Sequence, residues 1–210
     1  METPAILQAL ELTSWWEVPA VVLAILYLVL AARENIWCWG AAFVSTAIYI
    51  YVFFDVNLFL ESALQIYYLA MAVYGWYQWR QPTEQSATLP ISTWSLKKHV
   101  VVIAVTGAIV VTSGYLLSKN TEAALPYVDA FTTWYAVVTT YMVTKKILEN
   151  WVYWFVIDSV SVYLYYSRGL YLTALLFIAY LVIIVFGYLK WKKEYDQANV
   201  QTSREEELSI

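Results

Sequence analysis

Long apolar runs broken by short polar clusters make up most of this chain. Seven runs stand out, near Trp16–Ala32, Ile36–Phe54, Leu58–Trp79, Val100–Leu117, Tyr127–Thr144, Leu148–Tyr166 and Leu170–Leu189. A helix crossing a bilayer needs about 20 mainly apolar residues, so each run predicts one transmembrane helix. The polar stretches between them are too short for a folded domain outside the membrane, with about 100 residues typical of one. The pattern therefore predicts an all-α integral membrane protein of seven spans.

The segment 1–14, expected to be extracytoplasmic, carries Glu2 and Glu11 but no Lys or Arg, so it lacks the basic start of a cleavable signal and the first helix is expected to stay in the mature protein. Orientation follows from the basic residues, which cytoplasmic loops retain. With the N-terminus outside, Arg33, Arg80, Lys97, Lys98, Lys145, Lys146, Lys190, Lys192, Lys193 and Arg204 fall on the cytoplasmic side, against Lys119 and Arg168 outside. The C-terminus is thus expected inside. The polar stretch 81–98, with Pro82 and Pro90, reads as a cytoplasmic linker and hinge. It divides a first three-helix bundle (15–80) from a linking helix (99–120) and a second bundle (121–191), before an acidic, solvated cytoplasmic tail (192–210).

Composition narrows the function. Apolar residues make up 61% of the chain and charged ones 13%, against roughly 45–50% and 25% in soluble domains. A net charge of −4 leaves no basic surface for nucleic acid. One cysteine, Cys38, excludes an internal disulfide or a thiolate metal cluster. His99 is the sole histidine and sits at the cytoplasmic start of the linking helix, and no glycine-rich phosphate loop occurs, so neither an enzyme nor a cofactor or metal is expected.

The two bundles resemble one another. Glu34, Asn35 and Trp39 match Glu149, Asn150 and Trp154 at a shift of 115 residues. Further on, Leu58, Leu60, Leu64, Tyr68, Val73, Gly75 and Trp79 match Leu170, Leu172, Leu176, Tyr180, Val185, Gly187 and Trp191 at a shift of 112. Because the linking helix crosses once, the bundles share an orientation. The arrangement is a 3+1+3 parallel repeat, with a site expected at mid-membrane between the bundles.

Ionisable groups at that depth cost roughly 2.5–3.5 kcal/mol on insertion scales, so each needs a reason. Asp158 lies mid-way along the sixth run, and no Lys or Arg matches its depth. Its carboxyl is either hydrogen-bonded helix glue or the partner of a cationic ligand. Trp151 and Trp154 precede it by seven and four residues on the same helical face, where aromatic rings favour a flat cation. Gln65, Tyr68, Ala72 and Gly75 form a stripe on the third run, and buried Gln65 must find a hydrogen-bond partner in the bundle or a ligand. Glu61 and Asp129, near helix starts, read as caps.

Tyr74-Gly75-Trp76-Tyr77-Gln78-Trp79, Pro126-Tyr127-Val128-Asp129 and the run from Glu149-Asn150-Trp151-Val152-Tyr153-Trp154 to Asp158-Ser159-Val160-Ser161-Val162 resemble the Pnu vitamin transporters over nearly the whole chain. The resemblance implies a multi-pass protein of the bacterial inner membrane. Such a protein passes an unphosphorylated vitamin down its gradient, and a cytoplasmic vitamin kinase then traps it. It also implies a central site that includes Trp151, Trp154, Asp158 and Gln65. Members that carry nicotinamide riboside tend to have asparagine where this chain has Phe43, Ala72 and Asp158. Those departures favour a different flat cation, with thiamine, carried by a related branch, slightly ahead of nicotinamide riboside.

The expectation is facilitated uptake of a cationic B-vitamin at a site of Trp154, Asp158, Gln65 and Tyr68, with Trp151 and Phe43 as weaker candidates. The partners are the vitamin and the lipid bilayer, not nucleic acid, with a homo-oligomer compatible. One alternative is a proton-coupled transporter of a related nucleoside or vitamin that uses Asp158 as its titrating group. Another is a receptor-like bundle with no ligand in its core.

Overall fold

The computed structural model describes residues 17–55, 59–81, 88–120, 125–167 and 171–208. They form seven helices: α1 Glu17–Ala32, α2 Trp37–Asp55, α3 Phe59–Trp79, α4 Leu96–Asn120, α5 Pro126–Thr144, α6 Asn150–Ser167 and α7 Tyr171–Leu208. Each of the seven apolar runs becomes a helix. Helix α4 and the stretch Ala174–Gln201 of α7 are each long and apolar enough to cross a bilayer. On α4, Val101, Val105, Val111 and Leu116 stay exposed, as expected of side chains that face lipid.

Packing joins α1 to α2 and α2 to α3 on one side, α5 to α6 and α6 to α7 on the other. The two sets meet through α1 against α7 and α3 against α5, while α4 lies on α5. Close approach needs small residues. A Cβ on Gly75 would fall 2.4 Å from the ring of Trp39, and one on Gly187 would fall 2.7 Å from that of Trp151. Glycine at these two positions lets each indole lie flush against the neighbouring helix.

The α1–α2 and α5–α6 corners are built alike. Two residues past α1, Glu34 has φ 53°, and two past α5, Lys146 has φ 47°. At the first corner the Glu34 amide donates to the Ala31 carbonyl and that of Asn35 to Leu30; at the second, Lys146 donates to Val143 and Ile147 to Met142. Each is a left-handed helix cap of the kind glycine usually makes, and a bulkier residue there costs on the order of 1 kcal/mol. Corresponding atoms are 112 positions apart throughout. The shift of 115 read from the Glu-Asn pairs is therefore corrected: Glu34 corresponds to Lys146, and Trp39 to Trp151. The shared Glu-Asn letters misled because they occupy different turns of the two corners.

The linker is not a free hinge where it is described. Ser92 donates to the Lys146 carbonyl at 3.0 Å and accepts from the Leu148 amide at 2.8 Å, pinning residues 91–93 to the α5–α6 corner. Helix α4 starts at Leu96, with the Lys98 amide donating to the Ser95 carbonyl at 2.9 Å. The tail is helical as well. At 38 residues and 1.5 Å per residue, α7 is roughly 57 Å long against a hydrocarbon core of about 30 Å. Its charged end is held by Lys190–Glu194 and Lys192–Asp196 pairs one turn apart. The side chain of Glu61 lies outside the described residues.

Candidate functional site

A cavity of about 320 Å³ lies between the two three-helix sets. From the first come Ala24, Tyr27 and Leu28 of α1, Trp39, Ala42, Ser45, Thr46 and Tyr49 of α2, and Gln65 and Tyr68 of α3. From the second come Thr140 of α5, Trp154 and Asp158 of α6, and Phe177, Tyr180 and Ile184 of α7. The helical period explains the grouping: Ala42, Ser45, Thr46 and Tyr49 lie on one face of α2, and Trp154 and Asp158 share one face of α6.

Four of the six expected site residues, Trp154, Asp158, Gln65 and Tyr68, line this cavity. Two do not. Trp151, only 2% exposed, lies under Gly187 and meets Trp191 edge to face. Phe43 is 43% exposed and borders a separate groove with Val44, Ala47, Ile48 and Tyr51. It follows Ala42 by one residue, which turns its side chain about 100° away from the cavity. Ala72 is buried and also absent from the lining. Of the three positions that separated this chain from nicotinamide riboside carriers, only Asp158 reaches the cavity.

Several lining residues were missed: Trp39, Tyr27, Tyr49, Ser45, Thr46, Phe177 and Tyr180. The internal match carried a signal for some of them. At the 112-residue offset Tyr180 corresponds to Tyr68, Phe177 to Gln65 and Thr46 to Asp158. Leu28 with Thr140 and Ala42 with Trp154 also pair at that offset, whereas Trp39, Ser45 and Tyr49 have no counterpart in the lining. The first half offers Gln65, Ser45 and Thr46; the second offers Trp154, Phe177 and Asp158.

Asp158 is 5% exposed, and among the described residues no Lys, Arg or His lines the cavity. The hydroxyls of Ser45 and Thr140 donate to the carbonyls of Ala20 and Ala136 at 2.8 Å, which leaves their lone pairs as acceptors. Seven aromatic rings, those of Tyr27, Trp39, Tyr49, Tyr68, Trp154, Phe177 and Tyr180, surround one acid and one amide. Such a lining accepts a flat ring that carries positive charge and donor groups.

Residues 14–193 match the sequence profile of a family described as nicotinamide mononucleotide transporters. The riboflavin/roseoflavin transporter RibM of Streptomyces davaonensis is 26% identical over 183 residues, covering 84% of this chain and 84% of that protein. The nicotinamide riboside transporter PnuC of Escherichia coli is 26% identical over 203 residues, 85% of each. A crystal structure of the vitamin B3 transporter PnuC superposes with a TM-score of 0.70 at 22% identity, covering 92% of this chain and 87% of that one. At that identity the superposition establishes a common fold.

Proposed function

This chain belongs to the nicotinamide mononucleotide transporter family, and from that premise we propose that it is an inner-membrane carrier for facilitated uptake of an unphosphorylated cationic B-vitamin, thiamine ahead of nicotinamide riboside. One observation carries the reading: Asp158 sits in an aromatic cavity whose lining supplies no positive charge. A permanent heteroaromatic cation supplies it. The ring lies against Trp154 and Phe177, where cation–π attraction reaches about 2 kcal/mol once water is excluded. Asp158 meets the charge or accepts from a ring amino group, while Gln65 and Thr46 face the polar remainder.

The lean toward thiamine rests on Asp158 alone, since Phe43 and Ala72 are outside the cavity lining. The aminopyrimidine of thiamine gives that carboxyl a ring amino donor beside the cation; nicotinamide riboside also offers a cation, with carboxamide N–H and ribose hydroxyl donors, so the lean is slight. The same lack of Lys and Arg argues for an unphosphorylated substrate, because a phosphate ester needs cationic or backbone donors. Phosphorylation inside the cell would then prevent return. The recurrence of corner geometry and cavity positions at 112 residues supports two like units that rock about the site. The distribution of basic residues supports a cytoplasmic C-terminus.

Kinship with a riboflavin carrier and the seven-ring lining favour a second reading, a neutral flavin held by stacking alone. Calorimetry of the purified protein with thiamine, nicotinamide riboside and riboflavin separates the two. The proposal expects thiamine to bind most tightly and Asp158→Asn to weaken both cations. Riboflavin as the tightest ligand, indifferent to Asp158→Asn, replaces it with the second reading.

A further inference from the structure

Beyond the cavity, toward the basic end of the bundle, four buried tryptophans stand in a row. Trp39 meets Trp79 edge to face with ring centroids 5.4 Å apart, Trp79 meets Trp191 at 6.0 Å, and Trp191 meets Trp151 edge to face at 5.4 Å. None is more than 2% exposed, and Trp39 also borders the cavity. Trp39 and Trp151 are 112 positions apart, as are Trp79 and Trp191, so the row reads the same from either end.

The hydrogen bonds across it have the same symmetry. The indole N–H of Trp79 donates to the Val143 carbonyl, and that of Trp191 to the Ala31 carbonyl, both at 3.1 Å. Val143 and Ala31 are again 112 apart, near the ends of α5 and α1. Each unit's third helix thus adds a second donor to a carbonyl in the last turn of the other unit's first helix, one that already accepts its own corner's amide. Such contacts hold only while the two units stay together at this end.

One pair departs from the symmetry. The two left-handed corner residues meet each other, with Lys146 Nζ 2.7 Å from Glu34 Oε2 and both side chains largely buried. The ammonium also lies 4.8 Å from the ring centroid of Trp79. Identical residues at corresponding positions would set like charge against like; this chain has opposite charges there. Glycine would fit either backbone with less strain, so the side chains answer to something other than the corner's own conformation.

We propose that this tryptophan row, locked by Glu34–Lys146 and the two crossed indole bonds, is the inner gate of the carrier. It is shut in this structure and opens when the two units part at their basic end. Opening separates Trp79 from Trp191 and breaks the two indole bonds and the ion pair together. Between states the Lys146 ammonium passes from a buried carboxylate partner to water, so the closed state is favoured only while both charges are present. The inference rests on the two-unit carrier reading but not on which vitamin is carried.

The test needs no substrate. Thr46→Cys, in a Cys38→Ser background, places a thiol on the cavity wall, and a charged maleimide applied to inside-out vesicles reports access from the basic side. Lys146→Ala and Glu34→Ala are each expected to raise the labelling rate by roughly tenfold. The exchange of charges, E34K with K146E, is expected to return it close to the parent rate. Unchanged rates in the stable single variants, or an exchange variant that labels as fast as they do, would overturn the gate. Trp79→Phe and Trp191→Phe keep the rings, lose the N–H groups and decide the matter if the charge variants do not fold. Both are expected to speed labelling from this side and slow it from the other. A loss of melting temperature with no side-specific change in labelling would mark a merely structural contact. Failure of thiamine to bind would leave all these outcomes unaffected.

Discussion

Asp158 is buried at the cavity wall with neither Lys nor Arg beside it among the lining residues, so its value to the protein depends on what enters. Replacing it by asparagine keeps the shape and removes the charge. Hydrogen bonds to charged groups are worth about 1.5–3 kcal/mol, so Asp158→Asn is expected to weaken thiamine binding by at least roughly tenfold, with the melting temperature in detergent nearly unchanged. Calorimetry alongside a thermal melt checks both halves. Glycine replacements act in the opposite way. Gly75→Ala and Gly187→Ala each drive a methyl into a buried indole, and overpacking of this kind costs about 1–3 kcal/mol. Both variants should melt at lower temperature. At this scale the sequence exposed Asp158, Trp154, Gln65 and Tyr68 because polar or paired residues in apolar helices are conspicuous. Phe177 and Tyr49 were hidden among 38 aromatic residues, where composition alone does not tell a ring facing the cavity from one facing lipid.

All seven helices were legible, five of them to within two residues, because apolar length is nearly sufficient to define a span. The corners between them were not. The Glu-Asn letters before α2 and at the start of α6 suggested one register, while left-handed backbone at Glu34 and Lys146 fixes another, and no pattern of letters announces positive φ at a charged residue. The tail was similarly misjudged: its charges are solvated, yet their spacing of four supports helix. That extension places Glu194 against the α1–α2 corner. A hydrogen bond to Glu34, then burial and Glu34's own charge, push the Glu194 carboxyl up to about 7, opposed by Lys190 on the same helix. Burial also acts to raise Glu34, but the Glu194 hydrogen bond and the Lys146 ammonium outweigh it and hold its carboxyl below the usual range. Glu194 therefore keeps a proton in the folded protein that the unfolded chain releases near its ordinary value. The resulting stability is complete below that value and is lost as pH rises through about 7. The melting temperature should fall as pH rises from about 4.5 to about 7 and level off above that, and Glu194→Gln, which keeps an amide donor toward Glu34, should flatten that slope. A slope unaltered in Glu194→Gln would assign the titration to another group.

For the molecule as a whole, the decisive quantity is the charge moved in one cycle. If the carrier takes one vitamin cation inward and returns empty, with Asp158 in the same protonation state on both journeys, a net positive charge enters, because the carboxyl's own charge travels out and back. One elementary charge across 100 mV is worth about 2.3 kcal/mol, so an inside-negative potential of about 60 mV holds an internal concentration roughly tenfold above the external one. Exchange of the cation for a proton at Asp158 moves no net charge and responds to the pH difference instead. A neutral flavin responds to neither. Proteoliposomes with a potassium gradient and valinomycin, at equal pH on both faces, should therefore accumulate labelled thiamine to that level and release the excess when external potassium is raised. Accumulation that ignores potential and follows an imposed pH step would replace simple facilitated passage with proton exchange through Asp158. The same vesicles loaded with thiamine phosphate should retain it, since a cavity walled by a carboxyl and aromatic rings offers its phosphate no positively charged partner.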